Sequence, residues 1–310
     1  MRSVHVRRLA GLGAIGSWRW GGARYLLMIV FAMVLGLAIA VPVFAADRGV
    51  YQAQVVGGTA VPDGKYPFMV SLQADKSNAR PHREHYCGGS LIDRNSVLTA
   101  AHCVSFISTF TTPLTLSFRD LRIVVGGTVL NSKQGQPRRI QKLSDISIHP
   151  RYNENVSNKY DAAVIKLGTP VTKSALALAK TGSNRLEHAG RLATIAGWGN
   201  TRAQPASGSA GSNIPDRMQK AGVPLVSDTS CERAYRGAFI TALMVCAGEK
   251  GVDVCHGDSG GPIWATTSTG RRQIGITSFG KGCATARYPG VFTEVNAPDI
   301  KSFIRRAANR

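Results

Sequence analysis

Acid is the scarcest thing in this 310-residue chain: 18 aspartates and glutamates stand against 38 lysines and arginines, a formal net charge of +20. The first 54 residues hold six arginines and one aspartate, so +15 persists without them and belongs to the rest of the chain. Such an excess favours solubility and a weak attraction to acidic surfaces. No interleaving of basic and aromatic residues follows the known nucleic-acid modules, so no nucleic-acid partner is expected. Charged residues are only 18% of the chain, with both signs mixed, against 44% hydrophobic. That excludes a disordered polyelectrolyte and provides for one or two globular domains with a sizeable core. A CxxC pair and a cysteine–histidine cluster are also missing, which argues against a zinc site. There is no repeat of fixed period. Beyond residue 46 no run is apolar enough to cross a membrane.

What precedes residue 46 is of another kind. Arg2, Arg7, Arg8, Arg19 and Arg24 come before an uncharged run from Tyr25 to Ala46, and Val43 and Ala45 supply small residues at the spacing of a signal-peptidase site. The reading is a signal peptide over 1–45, cleaved after Ala45, and secretion. The run is long enough to span a bilayer, so an uncleaved membrane anchor is the rival. All six cysteines (Cys87, Cys103, Cys231, Cys246, Cys255 and Cys283) lie beyond it. An even count in an exported chain argues for three disulfides, with about 15 pairings open on counting grounds.

From Val55 onward, short apolar or alternating runs recur between turn residues, among them YPFMVSLQ, LRIVVGG, DAAVIKL, RLATIAGWG, MQKAGVPLV, RQIGITSFG and GVFTEV. This spacing reads as an all-β sandwich or barrel. The end, NAPDIKSFIRRAANR, reads as a helix with Ile300, Phe303 and Ile304 on one face and Asn296 as the cap. Polar stretches at 74–85 and 200–216 read as loops. Residues 104–120 carry no signal of their own.

Three stretches carry chemistry. VDVCHGDSGGP (252–262) sets Ser259 among glycines; taken alone it is a tight turn or a nucleophile on a constrained loop. VLTAAHC (97–103) ends an apolar strand on His102 beside Cys103. KYDAAVIKL (159–167) opens a strand on Asp161, which is either a solvent-facing strand end or an acid buried behind an imidazole. A serine hydroxyl is a weak nucleophile without an adjacent base, and a histidine base needs its tautomer fixed by an acid on Nδ1. His102, Asp161 and Ser259 are the residue types for that work.

From Val55 to the end the chain resembles the trypsin-like, chymotrypsin-fold serine endopeptidases. VVGG (55–58), TAAHC (99–103), DAAVIKL (161–167), GWGNT (197–201), DVCHGDSGGP (253–262), SFGKGC (278–283) and PGVFTEV (289–295) carry the resemblance, in the family's order. It implies an all-β fold of two six-stranded antiparallel β-barrels, roughly 55–170 and 171–310, with a C-terminal helix and His102, Asp161 and Ser259 meeting between the barrels. It implies the disulfides Cys87–Cys103, Cys231–Cys246 and Cys255–Cys283. The first of these closes a loop whose constraint is worth about 3 kcal/mol in the chain-entropy model and holds His102 in place.

The resemblance also implies that the N–H groups of Gly257 and Ser259 form an oxyanion hole. After a cut between Gln54 and Val55, which removes a short propeptide over 46–54, the Val55 ammonium is expected to pair with Asp258. Gln54 departs from the family, which usually has Arg or Lys there, so inefficient self-activation is expected. Asp253 falls at the base of the substrate pocket, with Gly280 and Gly290 on its walls, Ser278 in the substrate-binding set and Phe279 in place of a common Trp. That implies cleavage after Arg or Lys by a monomer, with polypeptides as substrates and protein inhibitors as further partners. No cofactor is implied. The stretch GTVLNSKQGQPRRI, where some relatives bind calcium, has no acid, so no metal is expected there. His256 is placed at the pocket rim, and the remaining histidines are given surface or structural roles. Two alternatives are a non-enzymatic binding protein on the same fold and a membrane-anchored protease.

Overall fold

The computed structural model describes residues 55–75, 84–109, 115–130, 132–153, 158–182, 184–207 and 213–310. The expected signal peptide, the propeptide with Gln54, and His5 and His82 lie outside them. Among the described residues no helix is long and apolar enough to cross a membrane.

Ten strands come from the first half: β1 (Thr59–Ala60), β2 (Met69–Ala74), β3 (His85–Leu91), β4 (Ser96–Thr99), β5 (Ile107–Ser108), β6 (Leu116–Ser117), β7 (Leu121–Val125), β8 (Gln136–Arg138), β9 (Ile146–Ile148) and β10 (Ala163–Lys166). Seven form one antiparallel sheet in the order β8-β7-β2-β3-β4-β10-β9, which curls into a half-barrel. The second half supplies β11 (Leu192–Gly197), β12 (Gln219–Val226), β13 (Met244–Ala247), β14 (Pro262–Thr267), β15 (Gly270–Phe279) and β16 (Gly290–Glu294). These run in the order β12-β11-β14-β15-β16-β13, and a β12–β13 pairing closes them into a six-stranded barrel. The N-terminal strand β1 pairs with β12, Thr59 opposite Lys220, and so ties the start of the domain to the second barrel.

The burial patterns explain these strands. β12 alternates buried with partly exposed residues along its length, as a strand with one face on a core must. In β2 the first five residues are all buried, because both of its faces are covered. Trp264 on β14 packs edge-on to Tyr66 and Phe68, with ring centroids 4.9 and 5.4 Å away. Each such fully buried large apolar side chain contributes about 1.5–3 kcal/mol. Ser90 Oγ on β3 donates to Gln273 Oε1 on β15 at 2.7 Å, a buried polar tie between the two sheets.

Within 104–120 the described residues form the small parallel pair β5–β6, with Ile107, Leu116 and Phe118 buried. Between Asn200 and Asp216 the described residues form no strand, only a single bridge between Gln204 and Cys283. Among the described residues there are two α-helices, α1 (Asp228–Tyr235) and α2 (Pro298–Ala308). The sequence pattern predicts only α2. α1 escapes it because Cys231 is its one buried residue, too little for a periodic apolar face. The cap expected at Asn296 is corrected: the N-cap of α2 is Ala297, with no side-chain cap bond and Pro298 in its first turn. Asn296 is instead fully buried, its amide donating to Glu187 Oε2 at 3.0 Å.

Candidate active site

Register brings the first two residues together. In the β4–β10 pairing Ala163 lies opposite Thr99, and the two strands run antiparallel. The residues just before β10 therefore reach those just after β4, and Asp161 arrives at His102. Its Oδ1 accepts from the His102 backbone N–H at 2.9 Å and its Oδ2 from His102 Nδ1 at 2.8 Å. Ser278 Oγ, from β15, donates to the same Oδ2 at 2.6 Å. Thr293 Oγ1 donates to the Asp161 carbonyl at 3.0 Å. Asp161 is completely buried, whereas the His102 side chain keeps 30% of its surface exposed. A carboxylate on Nδ1 requires the proton there, which leaves Nε2 as the basic nitrogen of a neutral ring. The Cys87–Cys103 bridge is formed beside it. Cys87, His102 and Cys103 cluster within 4.8 Å, but both sulfurs are spent in the disulfide, so they are not a metal-binding thiolate set.

Ser259 comes from the loop before β14, and its backbone is docked onto the first sheet. Gly88 N–H donates to the Ser259 carbonyl at 2.7 Å, and Thr99 Oγ1 donates to the Gly88 carbonyl at 2.8 Å. Gly260 N–H donates to Thr277 O at 2.8 Å. A Cβ at Gly260 would run into Thr99 Oγ1, which is the close approach that glycine permits. Ser259 Oγ makes no hydrogen bond among the described residues. His102 Nε2 lies 3.6 Å from Cys103 Sγ. No hydrogen bond joins Ser259 Oγ to His102 among the described residues; without substrate a nucleophile–base bond is often long and tightens only on binding.

Gly257 has φ of +99°, a conformation open to glycine, and a Cβ there would stand 3.0 Å from Gly199 Cα. Its carbonyl accepts from His85 Nε2 at 3.0 Å. His85 is buried, and burial holds its pKa down to about 4, so the ring is neutral. With Nε2 donating, Nδ1 accepts from Ser71 Oγ at 2.8 Å, and Gln73 Nε2 donates to that Oγ at 3.1 Å. The Ser71–His85 pair is a support that sequence reasoning missed: it sees His85 only as a histidine without a partner pattern. The N–H groups of Gly257 and Ser259 have no protein acceptor among the described residues. Preset free donors of this kind suit an oxygen that gains negative charge.

Asp258 is also buried, and its two carboxylate oxygens accept from the backbone N–H groups of Gly199 (2.9 Å) and Cys255 (3.0 Å). Burial pushes its pKa up to about 6, and among the described residues no cation stands beside it. Val55 is fully buried. The structure does not join it to Asp258, since in the uncut chain Val55 carries an amide and not an ammonium.

Below Ser259 opens a cavity of about 220 Å³, lined among others by Asp253, His256, Ser278, Phe279, Gly280 and Gly290. The Asp253 carboxylate is 2% exposed. Oδ1 accepts from Val254 N–H at 2.8 Å and Oδ2 from Ala284 N–H at 3.1 Å. Burial outweighs these bonds and pushes its pKa up to about 7. A Cβ on Gly290 would stand 2.7 Å from Oδ1, so only glycine leaves that oxygen open. Cys255–Cys283 braces the cavity, and Cys231–Cys246 ties α1 to β13.

A family model described as Trypsin matches residues 55–304. The chain is similar to a protein named Trypsin from Saccharopolyspora erythraea, 37% identical over 249 residues, covering 78% of this chain and 94% of that protein. It is 34% identical to a Trypsin-like protease of Streptomyces glaucescens, over 87% of this chain and 88% of that one. Serine protease 1 of Rattus norvegicus is 34% identical over 86% of this chain and 93% of its own length.

Proposed function

The chain belongs to the trypsin family of serine proteases, and from that premise we propose that it is a secreted endopeptidase, made as a zymogen, that cuts polypeptides after Arg and Lys. One observation carries the specificity: a buried carboxylate, Asp253, at the floor of the cavity beside Ser259, with backbone donors but no cation among the described residues. A charge buried without its counter-charge is costly, and a substrate guanidinium or ammonium supplies that counter-charge.

The reaction follows from the groups around the cavity. Ser259 Oγ attacks the scissile carbonyl carbon while His102 Nε2 takes its proton. The carbonyl oxygen, now an oxyanion, is held by the N–H groups of Gly257 and Ser259. One such donor is worth about 2.7–4 kcal/mol to the transition state. The C–N bond breaks as His102 returns the proton to the leaving amine. Water then attacks the acyl-enzyme with His102 again as base, and the acid product leaves Ser259 free. Asp161, held by Ser278, keeps Nδ1 protonated and stabilises the imidazolium formed in each half.

Activation follows from Asp258. A cut between Gln54 and Val55 turns the Val55 amide into an ammonium, which neutralises the buried carboxylate between Gly257 and Ser259. Gln54 does not fit the Asp253 cavity, so another protease makes that cut. The testing experiment is a peptide-library cleavage profile of enzyme beginning at Val55. Arg and Lys are expected at the cleaved position, and preference for an apolar aromatic residue would sink the assignment. Incubating the purified proenzyme alone should leave its N-terminus unchanged.

A further inference from the structure

We propose that the cleft between Tyr235, Arg236, Lys281, Arg287 and Tyr288 binds carboxylates that flank the scissile Arg or Lys, so that the enzyme selects sites embedded in acidic peptide. The proposal rests on the reading of Asp253 as the partner of a basic substrate side chain and adds a second, oppositely charged determinant beside it.

The cleft is a separate cavity of about 370 Å³. Arg236, Lys281 and Arg287 are exposed, and among the described residues none of them forms an ion pair. Elsewhere on this acid-poor surface arginines do find acids: Arg139 pairs with Asp75, Arg151 with Asp299 and Arg217 with Asp63. Three like charges around one hollow repel each other unless an anion enters.

These cations stand on fixed supports. Lys281 Nζ lies 5.0 Å and Arg287 Cζ 5.3 Å from the centre of the Tyr288 ring, cation–π distances that orient both heads over one aromatic ring. Tyr235 Oη donates to the Pro289 carbonyl at 2.6 Å, and Tyr288 N–H donates to Thr285 Oγ1 at 3.2 Å. Cys283, in the middle of the segment, is bridged to Cys255. Arg236 closes α1 in the left-handed conformation, φ 42°, with its N–H on Glu232 O. A preformed cleft loses little entropy on binding, and guanidinium forks take carboxylates bidentately.

Continuity with the Asp253 cavity identifies the occupant. Gly280 and Gly282 line that cavity, and Lys281 lies between them in the chain. Tyr235 packs edge-on to Phe279, another lining residue, at 5.5 Å. A peptide whose basic side chain reaches Asp253 therefore passes close to the cleft, and the neighbouring volume holds a few side chains, not a long polymer.

The test uses enzyme beginning at Val55, titrated with a serine-phosphonylating reagent, and peptides that share one Arg cleavage site with Asp or Ser at each flanking position in turn. At low salt the wild type is expected to prefer an acidic flank by on the order of tenfold in kcat/KM, carried by KM and shrinking as salt is raised. Arg236→Gln with Arg287→Gln should abolish most of that preference, Arg236→Lys with Arg287→Lys should keep most of it, and a single-residue Arg anilide should be cut equally by all three. Arg cleavage indifferent to flanking acid at every position overturns the cleft while leaving Asp253 intact; preference for an aromatic residue over Arg overturns both. Inhibition by a sulfated oligosaccharide without any response to flanking acid assigns the cleft to a polyanion and also overturns the proposal.

Discussion

Asp161 and Asp253 are one residue type in two buried settings, and they touch the same cavity: Asp253 at its floor, Asp161 through Ser278 on its wall. Asp161 receives three donors from distant parts of the chain, two of them side chains and one of those the ring of His102. Asp253 receives backbone N–H groups alone, and burial raises its pKa to about 7. The first carboxylate is complete within the protein. The second holds its geometry but has no cation beside it among the described residues. Burial itself does not distinguish the two carboxylates; the nature of their donors does, and it is what the proposed roles of positioning and binding acid rest on.

The sharpest way to break the comparison is Asp161→Asn. The backbone and Ser278 contacts can persist, but an amide no longer fixes the proton on Nδ1. A kcat loss of about 10⁴-fold is expected with little change in KM, the size that follows when the acid of a Ser-His-Asp triad becomes an amide. A loss below tenfold in steady-state turnover would mean that His102 does not depend on Asp161.

Asp253→Ser should act on the other carboxylate and leave the first alone. Removing one partner of a buried pair costs about 3–5 kcal/mol, so kcat/KM for an Arg substrate should fall by at least about 100-fold. Labelling by a phosphonylating reagent and turnover of an apolar substrate should survive. Parallel loss of both substrates would show that Asp253 shapes the fold and not the specificity.

The same contrast can be sharpened with pH alone. If Asp253 is the partner of a basic substrate side chain, as proposed, the free enzyme binds that side chain with Asp253 ionised, and burial raises the Asp253 pKa to about 7. Below that value the ratio of kcat/KM for an Arg substrate to that for an apolar one should fall up to about tenfold per pH unit. Taking the ratio removes any titration the two reactions share, so the remaining limb belongs to the pocket. Asp253→Ser should flatten it.

What the sequence makes legible divides along the same line. His102, Asp161, Ser259 and Gly257 can be named because each lies in a contiguous stretch that matches the family, the three disulfide pairs because the resemblance implies them, and the β-strands because they alternate or run apolar between turns. Ser278 can be named, but its bond to Asp161 joins residues 117 positions apart and follows from sheet packing. The bond by which His85 supports Gly257 spans 172 positions and has no local pattern. α1 has a single buried residue and so no periodic face. The basic cleft takes Arg236 from the end of a helix and Lys281 and Arg287 from a loop, a proximity no spacing rule encodes. The shared reason is that local runs carry periodicity and capping, while contacts across barrels depend on how the sheets meet.

The last effect concerns stability and not turnover, and its sign follows from the raised pKa. An ordinary aspartate, as in the unfolded chain, titrates near 3.8, whereas Asp253 titrates at about 7 in the folded protein. Below 3.8 both states hold the proton and the neutral acid's contribution is fully present. As pH rises from there to about 7 the unfolded chain releases its proton first, and folding loses free energy progressively; above about 7 the loss is constant. Asp253→Asn has no such proton, but its amide meets the Val254 and Ala284 N–H donors less well than a carboxylate does. The Tm of the variant minus that of the wild type should therefore rise between about pH 4 and about pH 7 and then level off. At about 1.4 kcal/mol per pH unit between the two pKa values and about 2–4 °C per kcal/mol for a domain of this size, the rise should be on the order of ten degrees in calorimetry. A difference independent of pH over that window would place Asp253 in contact with water or a cation already, and with that the contrast to Asp161 would vanish.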